Sequence, residues 1–246
     1  MLTIEIKERI KQKIIDFFQT EKLFENLKVD KKADNTVVTE VDYFICKTVK
    51  AELAAFDKTA DYNYFSEEDH DKLLFPASIL DPIDGTRGLL EGFPECSLSL
   101  ALMKTGKISE GWGWIYNPFT GLSIYSDEIF QMAPNTPKGK LLGLVSRSEW
   151  DRGLYAGFDS GPFVIAPKGS IAFKLGILAS GGCDFVITKR PKHIWDIAAG
   201  TINCYTRGIY LYGRDGKIET LESKKSDSPM LWCREEHFEL LKGLLK

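Results

Sequence analysis

SILDPIDGTRG, residues 78–88, sets two aspartates three positions apart at the end of an apolar run, inside a turn rich in Pro and Gly. Asp-Pro and Asp-Gly are ordinary turn dipeptides, and a turn accounts for either one alone. It accounts poorly for the pair. Asp81 and Asp84 flank an apolar Ile83, and two such carboxylates repel each other at a strand end unless a cation lies between them. Gly85 and Thr86 then open a short helical pattern, TRGLLEGF, whose first N–H groups suit an anion. Cation ligands beside an anion cradle are the ingredients of metal-assisted phosphoryl chemistry. The D-x-D-G-T motif of haloacid-dehalogenase phosphatases is one residue shorter, and in an extended chain one residue sends a side chain to the other face. That reading is rejected.

Upstream, Ile6, Ile10, Ile14, Phe17 and Phe18 recur at helical steps within residues 4–24. After Thr39 a second helical face carries Val41, Phe44, Ile45, Val49, Leu53 and Phe56. KKADNTVVT between them reads as a turn with a short strand, and residues 57–72 are polar and contain SEEDH. Ser78 to Leu80 reads as a short strand ending in the DPIDGT turn. Downstream, SLSLALM and GWGWIY alternate around a KTGK turn, an antiparallel run. LLGLVS, PFVIA and CDFVI read as strands, and residues 170–179 and IWDIAAGTINCYT as helices. With no internal repeat, a division near residue 140 gives an N-terminal α+β half, 1–140, with most candidate ligands. The C-terminal α/β half, 141–246, carries the Trp195-Asp196 pair.

Of 246 residues, 43% are hydrophobic and 12% aromatic, enough for a sizeable core. A net charge of -3 gives no electrostatic case for a nucleic-acid polymer. The five cysteines are scattered and include no CxxC pair, which fits a reducing compartment and argues against a disulfide framework or structural zinc. The three histidines are also far apart, so a metal here needs oxygen ligands, as magnesium does. The N-terminus lacks a signal-peptide core, and no stretch approaches the roughly 18 apolar residues of a membrane span. A cytoplasmic protein without membrane attachment is expected.

Each carboxylate also has a plain structural explanation. Asp42 follows Thr39 by three residues, as in a capping box. Glu67, Glu68 and Asp69 fit a solvated acidic turn, and Asp196 fits a helix start favoured by the dipole. Read together, the sites point the other way.

Three blocks in order, SEED at 66–69, LDPIDGT at 80–86 and IWDIAAG at 194–200, resemble the inositol monophosphatase family, the lithium-sensitive magnesium phosphatases related to fructose-1,6-bisphosphatase. VVTEVD at 37–42 and KGSIAFKLGILASGGCD at 168–184 extend the resemblance. It implies an α+β fold, the layered α-β-α-β-α sandwich of that family. It also implies two to three Mg2+ ions. Glu67, Asp81 and the Ile83 carbonyl would hold the first, and Asp81, Asp84 and Asp196 the second, with a weaker third near Glu67. Gly85 and Thr86 would bind the substrate phosphate. Asp42, Thr86 and Glu67 would be the catalytic residues, the Thr86 hydroxyl and Asp42 orienting and deprotonating the attacking water. Lys32 would stand behind the ligands. Family members include homodimers and monomers, so a homodimer is allowed.

The substrate stays open between inositol monophosphate and 3'-phosphoadenosine 5'-phosphate, with histidinol phosphate or a catalytically silent binding protein as alternatives. DGT is followed here by Arg87-Gly88-Leu89, and Lys189 occupies the place of a hydroxyl-binding glutamate of inositol-specific members. Arg87, Gly169, Ser170, Lys174 and Lys189 are the expected substrate contacts, the cations suited to a second phosphate.

Overall fold

Ile6, Ile10 and Ile14 form the buried stripe of α1 (Ile4–Thr20), which packs against Val41, Ile45 and Val49 of α2 (Glu40–Ala54). The computed structural model describes residues 2–20, 28–31, 37–128, 139–158 and 161–246. Between these helices a small antiparallel pair joins β1 (Val29–Lys31) to β2 (Val37–Thr39).

The first large sheet holds β3 (Asn63–Ser66), β4 (Ala77–Asp84), β5 (Ser97–Met103), β6 (Trp112–Tyr116) and β7 (Ser123–Tyr125) in that order. β3 and β4 run parallel and the remaining pairs antiparallel. The short helix α3 (Thr86–Leu90) follows β4. The second sheet draws on β8 (Leu141–Ser146), β9 (Phe163–Lys168), β10 (Phe185–Thr188), β12 (Ile209–Gly213), β13 (Gly216–Lys217) and β15 (Met230–Arg234), in the order β13-β12-β15-β10-β8-β9. β11 (Lys192–His193) and β14 (Lys225–Ser226) pair apart from it. Its helices are α4 (Arg147–Trp150), α5 (Ile171–Ala179), α6 (Ile194–Tyr205) and α7 (Glu235–Leu241).

Three apolar clusters separate five layers. α1 and α2 cover one face of the first sheet through Leu80, Leu98, Leu100 and Trp114. α5 and α6 fill the space between the sheets, where Ile79, Ala101 and Ile115 of one meet Leu144, Val186 and Trp232 of the other. Leu241 and Phe238 of α7 close the outer face of the second sheet. This is the expected layered α+β sandwich.

Every residue of β5 and β6 is buried, because helices lie on both sides of the sheet. One local expectation changes. The DPID segment is not a turn beyond the strand but its last half, since β4 continues to Asp84. Among the described residues no helix is long and apolar enough to cross a membrane.

Candidate active site

The site forms where β4 ends. Asp81 pairs with Ser99 and Asp84 with Ser97, so three steps along β4 match two along β5. In a regular strand residues three apart face opposite ways. The bulge's extra residue returns Asp84 to the face of Asp81. Because β3 lies parallel beside β4 in the register Ser66 to Leu80, Glu67 leaves β3 next to Asp81, its N–H donating to the Leu80 carbonyl at 3.0 Å.

Two helix starts bring the remaining carboxylates. In the first turn of α2, Asp42 Oδ2 accepts from Thr39 N–H at 2.8 Å and from the Thr39 hydroxyl at 2.6 Å. The capping role is therefore real, and it leaves Oδ1 facing the Thr86 hydroxyl at 3.4 Å. That hydroxyl also donates to the Ile83 carbonyl at 2.8 Å. In the first turn of α6, Asp196 Oδ2 accepts from His193 N–H at 2.9 Å, and the Ser99 hydroxyl ties the Trp195 carbonyl to β5 at 2.8 Å.

The electrostatics are those of crowded, dehydrated acids. Burial first, then Glu67, Asp84, Asp196 and Asp42, push Asp81 well above the usual carboxylate range. Asp196 rises for the same reason, with Asp84 its strongest charged neighbour. Asp42 is pushed up to about 7 by burial, with Glu68 and Glu67 adding and the Thr39 hydrogen bonds opposing. The Cys96 thiol is pushed up by burial and by Asp84, Asp42 and Asp81, so it is not a thiolate nucleophile. Asp81 Oδ1 is buried and has no hydrogen-bond partner among the described residues.

Among the described residues no group of three or more His, Cys, Asp or Glu side chains is drawn into a ready-made metal cage. The donor chemistry nevertheless suits a hard cation: oxygen ligands only, mutually repelling, one of them an orphaned buried oxygen.

Gly85 completes the cradle. Its φ of +98° is left-handed, and a Cβ there would sit 2.8 Å from the Glu95 carbonyl oxygen and 3.1 Å from Ser170 Cβ, so only glycine fits. A cleft of about 340 Å³ opens beside it, lined by Arg87, Glu95, Arg147, Gly169 and Ser170 among others. Arg87 is exposed and pairs with Glu91 at 3.3 Å. The Ser170 hydroxyl and Ala172 N–H both donate to Asp84 Oδ2 at 2.6 Å.

Two expected substrate contacts have backbone partners elsewhere. Lys174 is buried in α5, its side-chain nitrogen donating to the carbonyls of Lys168, Gly169 and Ser170. Lys189 donates to the Leu244 carbonyl at 2.6 Å and to a Lys246 oxygen at 3.2 Å, at the chain's C-terminal end. Lys32 lies outside the described residues.

Sequence reasoning missed Glu95. Its carboxylate accepts from Gly169 N–H at 2.7 Å and Lys168 Nζ at 2.9 Å and pairs with Arg147. Burial alone would raise its pKa, but these donors outweigh it and bring Glu95 down to about 2. Its donors lie 52 to 74 residues away, so no local spacing marks it.

The family model for the inositol monophosphatase family matches residues 2–208. The chain belongs to the inositol monophosphatase family. It is 30% identical over 208 residues to a fructose-1,6-bisphosphatase/inositol-1-monophosphatase of Thermotoga maritima, covering 80% of this chain and 79% of the relative. Its fold matches that of a Thermotoga maritima IMPase with a TM-score of 0.77 at 22% identity, over 98% of this chain and 94% of the other. It also matches an IMPase/NADP phosphatase solved with Mg2+ and phosphate, with a TM-score of 0.73 at 18% identity over 98% and 93%. The family and these relatives are phosphatases, which places this member among phosphoric-ester hydrolases.

Proposed function

We propose that this family member is a magnesium-dependent phosphatase of small phosphate monoesters, acting by direct attack of water. The observation that carries the reading is the buried, partnerless Asp81 oxygen among mutually repelling carboxylates, next to a cradle that only Gly85 fits. Glu67, Asp81 and the Ile83 carbonyl would hold one ion, Asp81, Asp84 and Asp196 a second, and Glu67 a weaker third. Bound there, the ions would act as Lewis acids on the phosphoryl oxygens and acidify a water. The N–H groups of Gly85 and Thr86 would hold the ester phosphate. Asp42 Oδ1, 3.4 Å from the Thr86 hydroxyl, would take a proton passed through that hydroxyl. No serine or cysteine nucleophile is required.

With the Lys174 and Lys189 nitrogens on backbone carbonyls, Arg87 is the favoured contact for a second phosphate, with Gly169 and Ser170 as wall residues. Inositol monophosphate and 3'-phosphoadenosine 5'-phosphate stay as candidates, and the name of the Thermotoga maritima relative adds fructose 1,6-bisphosphate. Lithium inhibition is part of the same reading. So is a cytoplasmic location, supported by five free, buried cysteines.

The test is phosphate release with magnesium from these three esters and histidinol phosphate, with Asp84→Asn as the comparison. We expect turnover of at least one ester and a loss of roughly a hundredfold or more in the folded variant. Equal turnover by Asp84→Asn would remove the metal assignment. Magnesium binding without turnover of any ester would favour a silent binding protein.

A further inference from the structure

Lysine is almost never fully buried without a carboxylate partner. Lys174, 2% exposed in the first half of α5, has no carboxylate within salt-bridge distance among the described residues; its side-chain nitrogen donates to the carbonyls of Lys168 at 3.2 Å, Gly169 at 3.2 Å and Ser170 at 2.9 Å. One buried nitrogen thus meets the carbonyls of three consecutive residues. The last of the three is Ser170, the only non-glycine residue with positive φ among those described, at +45°. A backbone conformation of that kind persists only where its surroundings impose it.

The same turn faces the site. From it the Ser170 hydroxyl and the Ala172 N–H reach one oxygen of Asp84, each at 2.6 Å, while Gly169 N–H reaches Glu95 at 2.7 Å. Ser170 Cβ also forms one wall of the Gly85 cradle, 3.1 Å from where a Cβ on that glycine would lie.

We infer that Lys174 is a positioning residue for the reaction: by gathering the carbonyls of Lys168, Gly169 and Ser170 it holds the turn that aims Ser170 Oγ and Ala172 N–H at Asp84. With Oδ2 engaged by two fixed donors, Asp84 presents Oδ1 in one orientation. Groups that orient a ligand in this way are worth about 10- to 100-fold in metal affinity. The inference rests on the assignment of Asp84 as a magnesium ligand, and the experiment separates the two.

Magnesium affinity is measured by calorimetry, and amide hydrogen exchange by NMR on the metal-free full chain, for wild type, Lys174→Met and Lys174→Gln. Lys174→Met keeps the buried stem and removes the donors, whereas Lys174→Gln keeps a shorter donor. We expect Lys174→Met to weaken magnesium roughly tenfold or more, with Lys174→Gln between it and wild type. The Ala172 amide should exchange faster while those of Leu175 and Leu178, farther along the same helix, keep their protection. In an Asp84→Asn background, Lys174→Met should change magnesium affinity no further, because the coupling runs through Asp84.

Unchanged magnesium affinity and unchanged Ala172 protection would overturn the inference. So would equal acceleration at Ala172, Leu175 and Leu178, which would make Lys174 a general stability element. Should Lys174→Met not fold, Lys174→Gln decides by the same readouts. If the wild type itself binds no magnesium, the metal assignment falls. The exchange data then decide alone: selective loss at Ala172 upholds the clamp on Asp84, and uniform loss removes it.

Discussion

Glu95 shows how a single side chain can hold a site together without touching the reaction. It gathers the Gly169 N–H, Lys168 and Arg147, and its own carbonyl oxygen packs against Gly85. Its folded pKa of about 2 lies below the model-peptide value of 4.5, so its contribution is present in full above about pH 4.5 and fades as pH falls toward 2. Glu95→Gln should therefore destabilise the protein at pH 7, by about 1–3 kcal/mol, through donors left poorly matched. The gap between wild type and variant should close between about pH 4.5 and 2, as followed by denaturant melts across that range. A gap independent of pH would mean that shape, not charge, sets the role of Glu95. At this scale the sequence was informative wherever ligands cluster in short blocks. Asp81, Asp84, Gly85 and Thr86 sit in one segment, at the end of β4 and the start of α3. For Lys174 and Lys189 a linear reading gives the charge but not the direction of the stem, which here runs to backbone carbonyls.

At the scale of elements, strand β4 and helix α6 set the geometry. The β4 bulge turns an odd spacing into a shared face, a feature that a sequence of alternating residues does not display. α6 brings Asp196 to the cluster because it lies directly on β6: a Cβ on Gly113 would come within 2.4 Å of the Ala199 carbonyl oxygen. That neighbour is backbone and cannot swing away. Gly113→Ala should thus push α6 off the sheet and cost about 1–3 kcal/mol of stability. It should weaken magnesium binding as well, because the displaced helix carries Asp196. Thermal melts with and without magnesium would read both effects, and a variant with wild-type stability would refute the close packing.

For the whole molecule, the two sheets fall on either side of residue 140, yet α5 and α6 bury residues against both. The candidate site draws Asp42, Glu67, Asp81 and Asp84 from one side and Asp196 and Ser170 from the other, so a cation bound there would bridge both layers. A ligand that binds only the folded state stabilises it by about 2.7 kcal/mol at a hundredfold excess over Kd. For a chain of 246 residues that corresponds to a rise in Tm of roughly 5–10 °C. Magnesium should produce this rise, a chelator should reverse it, and Asp84→Asn should abolish most of it. An unchanged Tm at saturating magnesium would count against the site.

The sequence by itself determined the helices with one apolar face, the strand cores and the local ligand blocks, because periodicity and neighbouring residues are short-range properties that a chain carries with it. It also carried the family resemblance, which supplied the layering. Only the tertiary structure decided that β5 and β6 are buried on both faces, that the DPID segment belongs to the strand, and that the Lys174 nitrogen is turned onto three backbone carbonyls. It alone joined Glu95 to partners 52 and 74 residues away. Burial and hydrogen-bond partnership across such distances depend on what packs on the far side of an element, and no residue records that in its own neighbourhood.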